Sequence, residues 1–243
     1  MSQDRWTLAS PTLPARGVVD RVTTAVRPRA HNPGVSWKAV WVGGVLIAAA
    51  WQADDDWRLR PVHPPDGQIA PLAPFQAKLD APEELQRGHW RLRERASYDI
   101  TARILSREEY HFDALSDLIP EDLALGWGAM SDNRMLAHFN ISQGGRFYSW
   151  QSMGRLPIPR QQVVQQSANT HVIPIDTAVR RELSALRVGQ VVHLTGTLVD
   201  GQRDDGITIR TSLTRNDEGP GACEIMLVES VEVLDPEPPD TAP

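Results

Sequence analysis

Cysteine, lysine and aromatic residues are scarce in this chain, and each shortage removes a class of explanation. There is one cysteine, Cys223. A single thiol forms no internal disulfide and builds no cysteine-based zinc site. Lysine occurs at Lys38 and Lys78 only, so arginine carries almost all of the positive charge. Aromatics are 6% of the residues, and five of the eight Trp lie before residue 58. The seven histidines show no HxH, HxxxH or HExxH spacing, so no metal site is expected. No glycine-rich phosphate loop follows a strand, and Gly126-Trp-Gly128 is not one, so no nucleotide and no other cofactor is expected. No apolar run reaches the roughly 20 residues that cross a bilayer. The longest, Ala39–Trp51, has 13.

What is present divides the chain. Residues 1–38 carry Arg5, Arg16, Arg21, Arg27, Arg29 and Lys38 against Asp4 and Asp20, leaving the rest more acidic than the overall −6. An acidic remainder lacks the basic footprint of phosphate binding and argues against nucleic acid as a partner. Residues 1–34 are polar and proline-broken, which reads as a disordered basic tail. Residues 35–51 extend the apolar run past Lys38, which could snorkel, and place Trp37, Trp41 and Trp51 at interfacial positions. They read as a transmembrane anchor, with a signal segment as the alternative. The basic tail before this segment and Asp54–Asp56 after it orient the chain. By the positive-inside rule this is a single-pass inner-membrane protein, N-terminus cytoplasmic and C-terminal domain periplasmic. Residues 52–86, with six prolines from Pro61 to Pro82, read as an extended linker. Residues 235–243 read as a disordered acidic tail.

The stretch between, 87–234, is expected to be an α+β domain. Tyr98, Ile100, Ala102 and Ile104 alternate as one face of a strand. Pro120, followed by Glu121 and Asp122, predicts a helix to Met130, with Ser131–Asn133 capping a further turn. Strand pieces are expected at 140–143 and 146–150 around Gly144 and Gly145, and helices at 159–166 and 178–186. Asp200-Gly201 and Asp205-Gly206 supply turns, 207–213 alternates, and 223–234 is a last strand too long to stay flat. Residues 186–199, with Gly196 at mid-strand, resemble the strands of small OB-like barrels. The expected whole is a β-rich compact domain, an OB-like small barrel with peripheral helices, preceded by one N-terminal transmembrane helix.

Four phrases carry a wider resemblance. They are Asp122-Leu-Ala-Leu-Gly-Trp-Gly-Ala-Met-Ser-Asp132, Ile141-Ser-Gln-Gly-Gly-Arg-Phe-Tyr-Ser-Trp150, Ser167-Ala-Asn-Thr-His-Val-Ile-Pro174 and Gly219-Pro-Gly-Ala-Cys-Glu224. They resemble an uncharacterised bacterial family of membrane-anchored envelope proteins. The resemblance implies a membrane segment ahead of one compact domain and implies no activity.

The polar clusters have bland readings beside functional ones. Ser167, Asn169 and His171 stand at the end of the helix expected at 159–166, where Ser and Asn terminate helices through local hydrogen bonds. Arg215, Asp217, Cys223 and Glu224 lie in a glycine-rich loop, with Arg215 pairing either Asp217 or Glu224. Together Ser167, Arg215, Asp217 and Glu224 are binding candidates. Cys223 and His171 could form a thiolate–imidazole pair with Asn169 orienting the ring. Trp127, Phe147, Tyr148 and Trp150 are expected in the core, with Arg146 at the edge of Phe147. Arg87, Arg91, Arg93 and Arg95 read as a solvated strand or helix start. The sequence as a whole is expected to be a membrane-anchored envelope protein, a non-enzymatic accessory component binding an envelope protein partner and held to the membrane by residues 35–51. The alternatives are a thiol-dependent hydrolase using Cys223 and His171, and an OB-like module for an oligosaccharide or oligonucleotide.

Overall fold

The computed structural model describes residues 40–42, 45, 57–217, 219 and 221–235. The chain divides into two units, Met1–Ile47 and Ala48–Pro243. In the first, residues 40–42 and 45 are helical. The tail expected at 1–34, most of the segment expected at 35–51 and the tail from 236 lie outside the described residues. Among the described residues no helix is long and apolar enough to cross a membrane.

The second unit is β-rich with few helices. Its strands are β1 (Phe75–Lys78), β2 (Glu84–Arg87), β3 (Trp90–Glu109), β4 (Glu121–Gly126), β5 (Phe139–Gly144), β6 (Phe147–Ser152), β7 (Ser167–Pro174), β8 (Val191–Arg203), β9 (Thr208–Ile209) and β10 (Glu224–Leu234). The helices are short: α1 (Asn133–Leu136), α2 (Arg160–Gln165) and α3 (Thr177–Ser184), with a 3-10 turn at Gly128–Ser131. The strand pairing closes on itself. β3 pairs with both β4 and β8, β4 continues to β7, β7 to β10, and β10 back to β8. All of these pairings are antiparallel except β7 with β10, which is parallel.

Two bulges let the 20-residue β3, which also pairs with β1 and β2, serve both β8 and β4 in the closed circuit. The register of β3 slips between Glu94 and Ala96 against β8, and between Ile104 and Ser106 against β4. Each extra residue increases bend and twist, which turns the sheet toward closure. The alternating side chains of β3 then point inward. Tyr98, Ile100, Ala102 and Ile104 meet Leu123, Leu125, Val172 and Met226 in the main core, each at most 2% exposed. α3 covers this core with Val179 and Leu183, one turn apart, and Asp176 caps its start by accepting from the N–H groups of Ala178 and Val179. Outside the closed sheet, β5–β6 and α2 fold back over β4, so that Phe139 and Val163 bury Ala124 and Leu105.

Several expectations are corrected here. The helix expected from Pro120 to Met130 is strand β4, with every residue of Glu121–Gly126 buried. A short apolar run buried on both faces has the same composition in either conformation, so periodicity cannot separate them. Ser167–Pro174 is strand β7, not the tail of a helix. Asp200-Gly201 lies inside β8, and only Thr208–Ile209 of the 207–213 stretch is strand. Of the four aromatics expected in the core, Trp127 is buried at 2% exposure whereas Phe147 is 51% exposed. Residues 57–74 lie against the domain: Val62 N–H donates to Val188 O, and Ala70 N–H to Ser131 Oγ.

The last strand bends as its length demands, with its register slipping between Val228 and Ser230 opposite Gly196. A Cβ at Gly196 would collide with the carbonyl of Leu227. Gly196→Ala is therefore expected to destabilise the domain by about 3 kcal/mol, a severe overpacking. Urea unfolding checks this as a lower midpoint at unchanged slope. An unchanged midpoint would mean that the two strands do not meet there.

Candidate functional site

Strand parity puts a polar patch on the outer face of the closed sheet. In β4, Leu123 and Leu125 point inward, so Asp122 points out. In β7, Val172 points inward, so Asn169 and His171 point out. The antiparallel register sets Asp122 directly opposite His171, and His171 Nδ1 donates to Asp122 Oδ1 at 2.7 Å. β10 runs parallel to β7, with Glu224 beside Thr170. Cys223, one residue earlier, therefore arrives next to the same patch. Asn169 Nδ2 lies 3.7 Å from Cys223 Sγ, and His171 and Cys223 line the same small cavity.

The hairpin β5–β6 closes over this patch. Its two-residue turn, Gly145-Arg146, has positive φ at both positions, 57° and 71°. Such a turn matches strand twist, but the left-handed region costs a non-glycine residue roughly 1–2 kcal/mol. The side chain offsets this. Arg146 Nη1 donates to Asp122 Oδ1 at 3.0 Å, and Nε and Nη2 grip both oxygens of Asp113 at 2.7 and 2.8 Å. Nη2 also reaches Ile119 O at 2.9 Å, and the guanidinium lies 3.7 Å over the Tyr110 ring. The expected contact of Arg146 with Phe147 is thus replaced by one with Tyr110. From the same hairpin, Gln143 Nε2 donates to Asn169 Oδ1 at 2.7 Å and fixes which way that amide faces.

The charges follow from this geometry. Burial opposes a charge on His171, but its hydrogen bond to Asp122, the charge of that carboxylate and the neighbouring Cys223 outweigh it and push the imidazole up to about 9. The hydrogen bond from Arg146 holds Asp113 below the usual carboxylate range despite partial burial. Asp122 Oδ1 accepts from both Arg146 and His171, while Oδ2 is buried with no partner among the described residues.

Two cavities open onto the patch and share Phe147 and Cys223 in their walls. The larger, about 290 Å³, lies between β6, α2 and the 214–224 loop, with Trp150, Asn169 and Arg215 among its lining. The smaller, about 190 Å³, has Leu115, Ile119 and Ile209 as apolar walls, with Arg146, His171 and Arg210. The sulfur therefore stands near the middle of one cleft.

The candidate residues largely come together. Asn169, His171 and Cys223 converge, but Asp122 orients the ring, and Asn169 faces the sulfur instead. Arg215 pairs with the buried Glu224 and donates to Tyr98 OH at 2.6 Å, while Asp217 accepts from Ser212 Oγ at 2.7 Å. Ser167 donates to Val163 O and so ends α2 while lining the larger cavity. Asp122, Gln143 and Arg146 were not legible as site residues. A strand reading of 121–126 would have exposed the first, and the two-residue turn between apolar strands the last. Among the described residues no group of three or more His, Cys, Asp or Glu is arranged to hold a metal ion.

The charged His171 stabilises the fold, and the sign follows from its raised pKa. Its contribution is complete below about pH 6.5, the value of free imidazole, and is lost as pH rises through about 9. NMR titration of the ring nitrogens should give a midpoint close to 9. Asp122→Asn should bring that midpoint down toward 6.5. A native midpoint near 6.5 would show that the ring is not held by the carboxylate.

No family model, no curated protein and no solved structure matches this chain.

Proposed function

We propose that this chain is a membrane-tethered accessory protein of the bacterial envelope, built as an OB-like barrel that binds an extended segment of a partner protein in the cleft over β4 and β7. The observation that carries the reading is the order of strand pairing. Numbering only the strands of the closed circuit, the first pairs with the second and the fourth, and the third lies parallel to the fifth. α3 sits between the third and fourth and packs into the core. OB barrels bind chain-like ligands on the face of their second and third strands, between the loops that follow the first and fourth. Here those strands are β4 and β7, and residues from both loops, Leu115 and Ile119 in one, Arg210 and Cys223 in the other, line the cavities.

A protein partner fits the surface better than nucleic acid. The chain is acidic overall, which opposes a phosphate backbone. Large apolar side chains are exposed on the elements around the cleft: Phe112, Phe147 and Leu213. Exposed aromatics at a groove are the surface that peptide segments bury. The basic tail and the apolar segment 35–51 supply the tether.

The test places a photo-crosslinking phenylalanine analogue at Phe147 in the full chain and irradiates intact membranes. One discrete adduct with another envelope protein, absent when the analogue replaces Glu229, is the expected outcome. Equal labelling at both positions, or adducts with lipid alone, would contradict a partner site in the cleft.

A further inference from the structure

We propose that the cleft is also an acyl-transfer site, in which Cys223 attacks the carbonyl of a short-chain carboxylic ester or thioester. This rests on the cleft assigned above, though not on the partner. The geometry supplies each group such a reaction needs. Cys223 is the nucleophile, facing both cavities. His171, which lines the smaller cavity with Cys223, is the acid and base, and Asp122 positions the ring through Nδ1. Asn169 is 5% exposed, and its amide nitrogen, 3.7 Å from the sulfur, is placed to donate to a developing oxyanion. Gln143 holds the far side of that amide, so the donor faces the sulfur before substrate arrives.

The chemistry balances without a further reagent. The sulfur electron pair forms a C–S bond, and the carbonyl π pair moves to oxygen, where Asn169 donates. The tetrahedral adduct collapses, the C–O or C–S bond to the leaving group breaks, and His171 gives that group its proton. Water then attacks the acyl-cysteine as neutral His171 takes its proton. The C–S bond breaks, and thiolate and carboxylic acid are released. The acyl group belongs in the smaller cavity, whose apolar walls are Leu115, Ile119, Phe147 and Ile209. The leaving group belongs in the larger and more polar one, toward Trp150 and Arg215.

The experiment uses the full chain in mild detergent with p-nitrophenyl acetate and butyrate at pH 7. Nitrophenol release should run about a hundredfold faster than with N-acetylcysteine at equal thiol, and should exceed one equivalent per chain. Cys223→Ala should bring release to the uncatalysed rate. His171→Gln should leave an acyl adduct on Cys223 that intact-mass analysis detects, because water has lost its base. Butyrate should exceed acetate in kcat/KM about tenfold, from two more buried methylenes. Release no faster than with N-acetylcysteine, or unaffected by Cys223→Ala, would overturn the proposal. If that variant fails to fold, blocking the native chain with methyl methanethiosulfonate asks the same question: retained activity overturns the site, and lost activity supports it. A crosslink at Phe147 without thiol activity would leave the binding reading standing and remove this one. Thiol activity without a crosslink would do the reverse.

Discussion

One carboxylate oxygen, Asp122 Oδ1, joins three parts of the chain. It accepts from Arg146 at 3.0 Å and from His171 at 2.7 Å. Arg146 belongs to the tip of β5–β6, His171 to β7, and Asp122 itself to β4. The same guanidinium grips Asp113 in the loop after β3. Asp122 is fully buried, so its own two contacts are largely shielded from water, while the Asp113 grip is exposed. A buried charge stripped of its partner costs several kcal/mol, which makes the set hold together or fail together. The arginine accepts a strained backbone at φ 71° to stand there. Its side-chain bonds are what make that conformation worth adopting.

The closed sheet explains why the remaining groups meet. Successive residues of a strand face opposite sides. Cys223 and Glu224 divide on that rule at the entry to β10. The thiol faces the outer cleft, and the carboxylate turns inward to Arg215. Arg215 in turn donates to Tyr98 and lies 5.7 Å from the Trp127 ring centre. One dipeptide therefore ties the cleft to the interior. The parallel pairing of β10 with β7 is the topological step that brings residues 54 apart in sequence, Asn169 and Cys223, to contact distance.

Some of this was legible in the sequence. The alternation of Tyr98, Ile100, Ala102 and Ile104 identified an inward face, and the glycine pair at 144–145 marked the hairpin. Asp132, expected to cap a turn, does cap α1 through Arg134 N–H. Cys223, His171 and Asn169 were singled out together because thiol, imidazole and amide are the side chains that nucleophilic chemistry uses. The roles were misassigned where long-range pairing decides them. Asp122 read as a helix-start acid because Pro120 and the acids after it satisfy a local rule, yet burial on both faces makes that segment a strand. Arg146 read as a neighbour of Phe147 because adjacency in sequence was the only guide. No local pattern reports that a hairpin folds back across a sheet.

The most direct measurement of the central claim is a double-mutant cycle on urea unfolding with Asp122→Asn, Arg146→Gln and the pair. Glutamine keeps the same left-handed backbone cost at position 146, so the cycle isolates the contact. If Asp122 and Arg146 hold the hairpin to the sheet, the coupling should be about 2 kcal/mol, within the range of contacting residues in one network. Additive effects, agreeing within about 0.5 kcal/mol, would mean that the hairpin is held by its apolar packing alone and that the site is not assembled through this carboxylate.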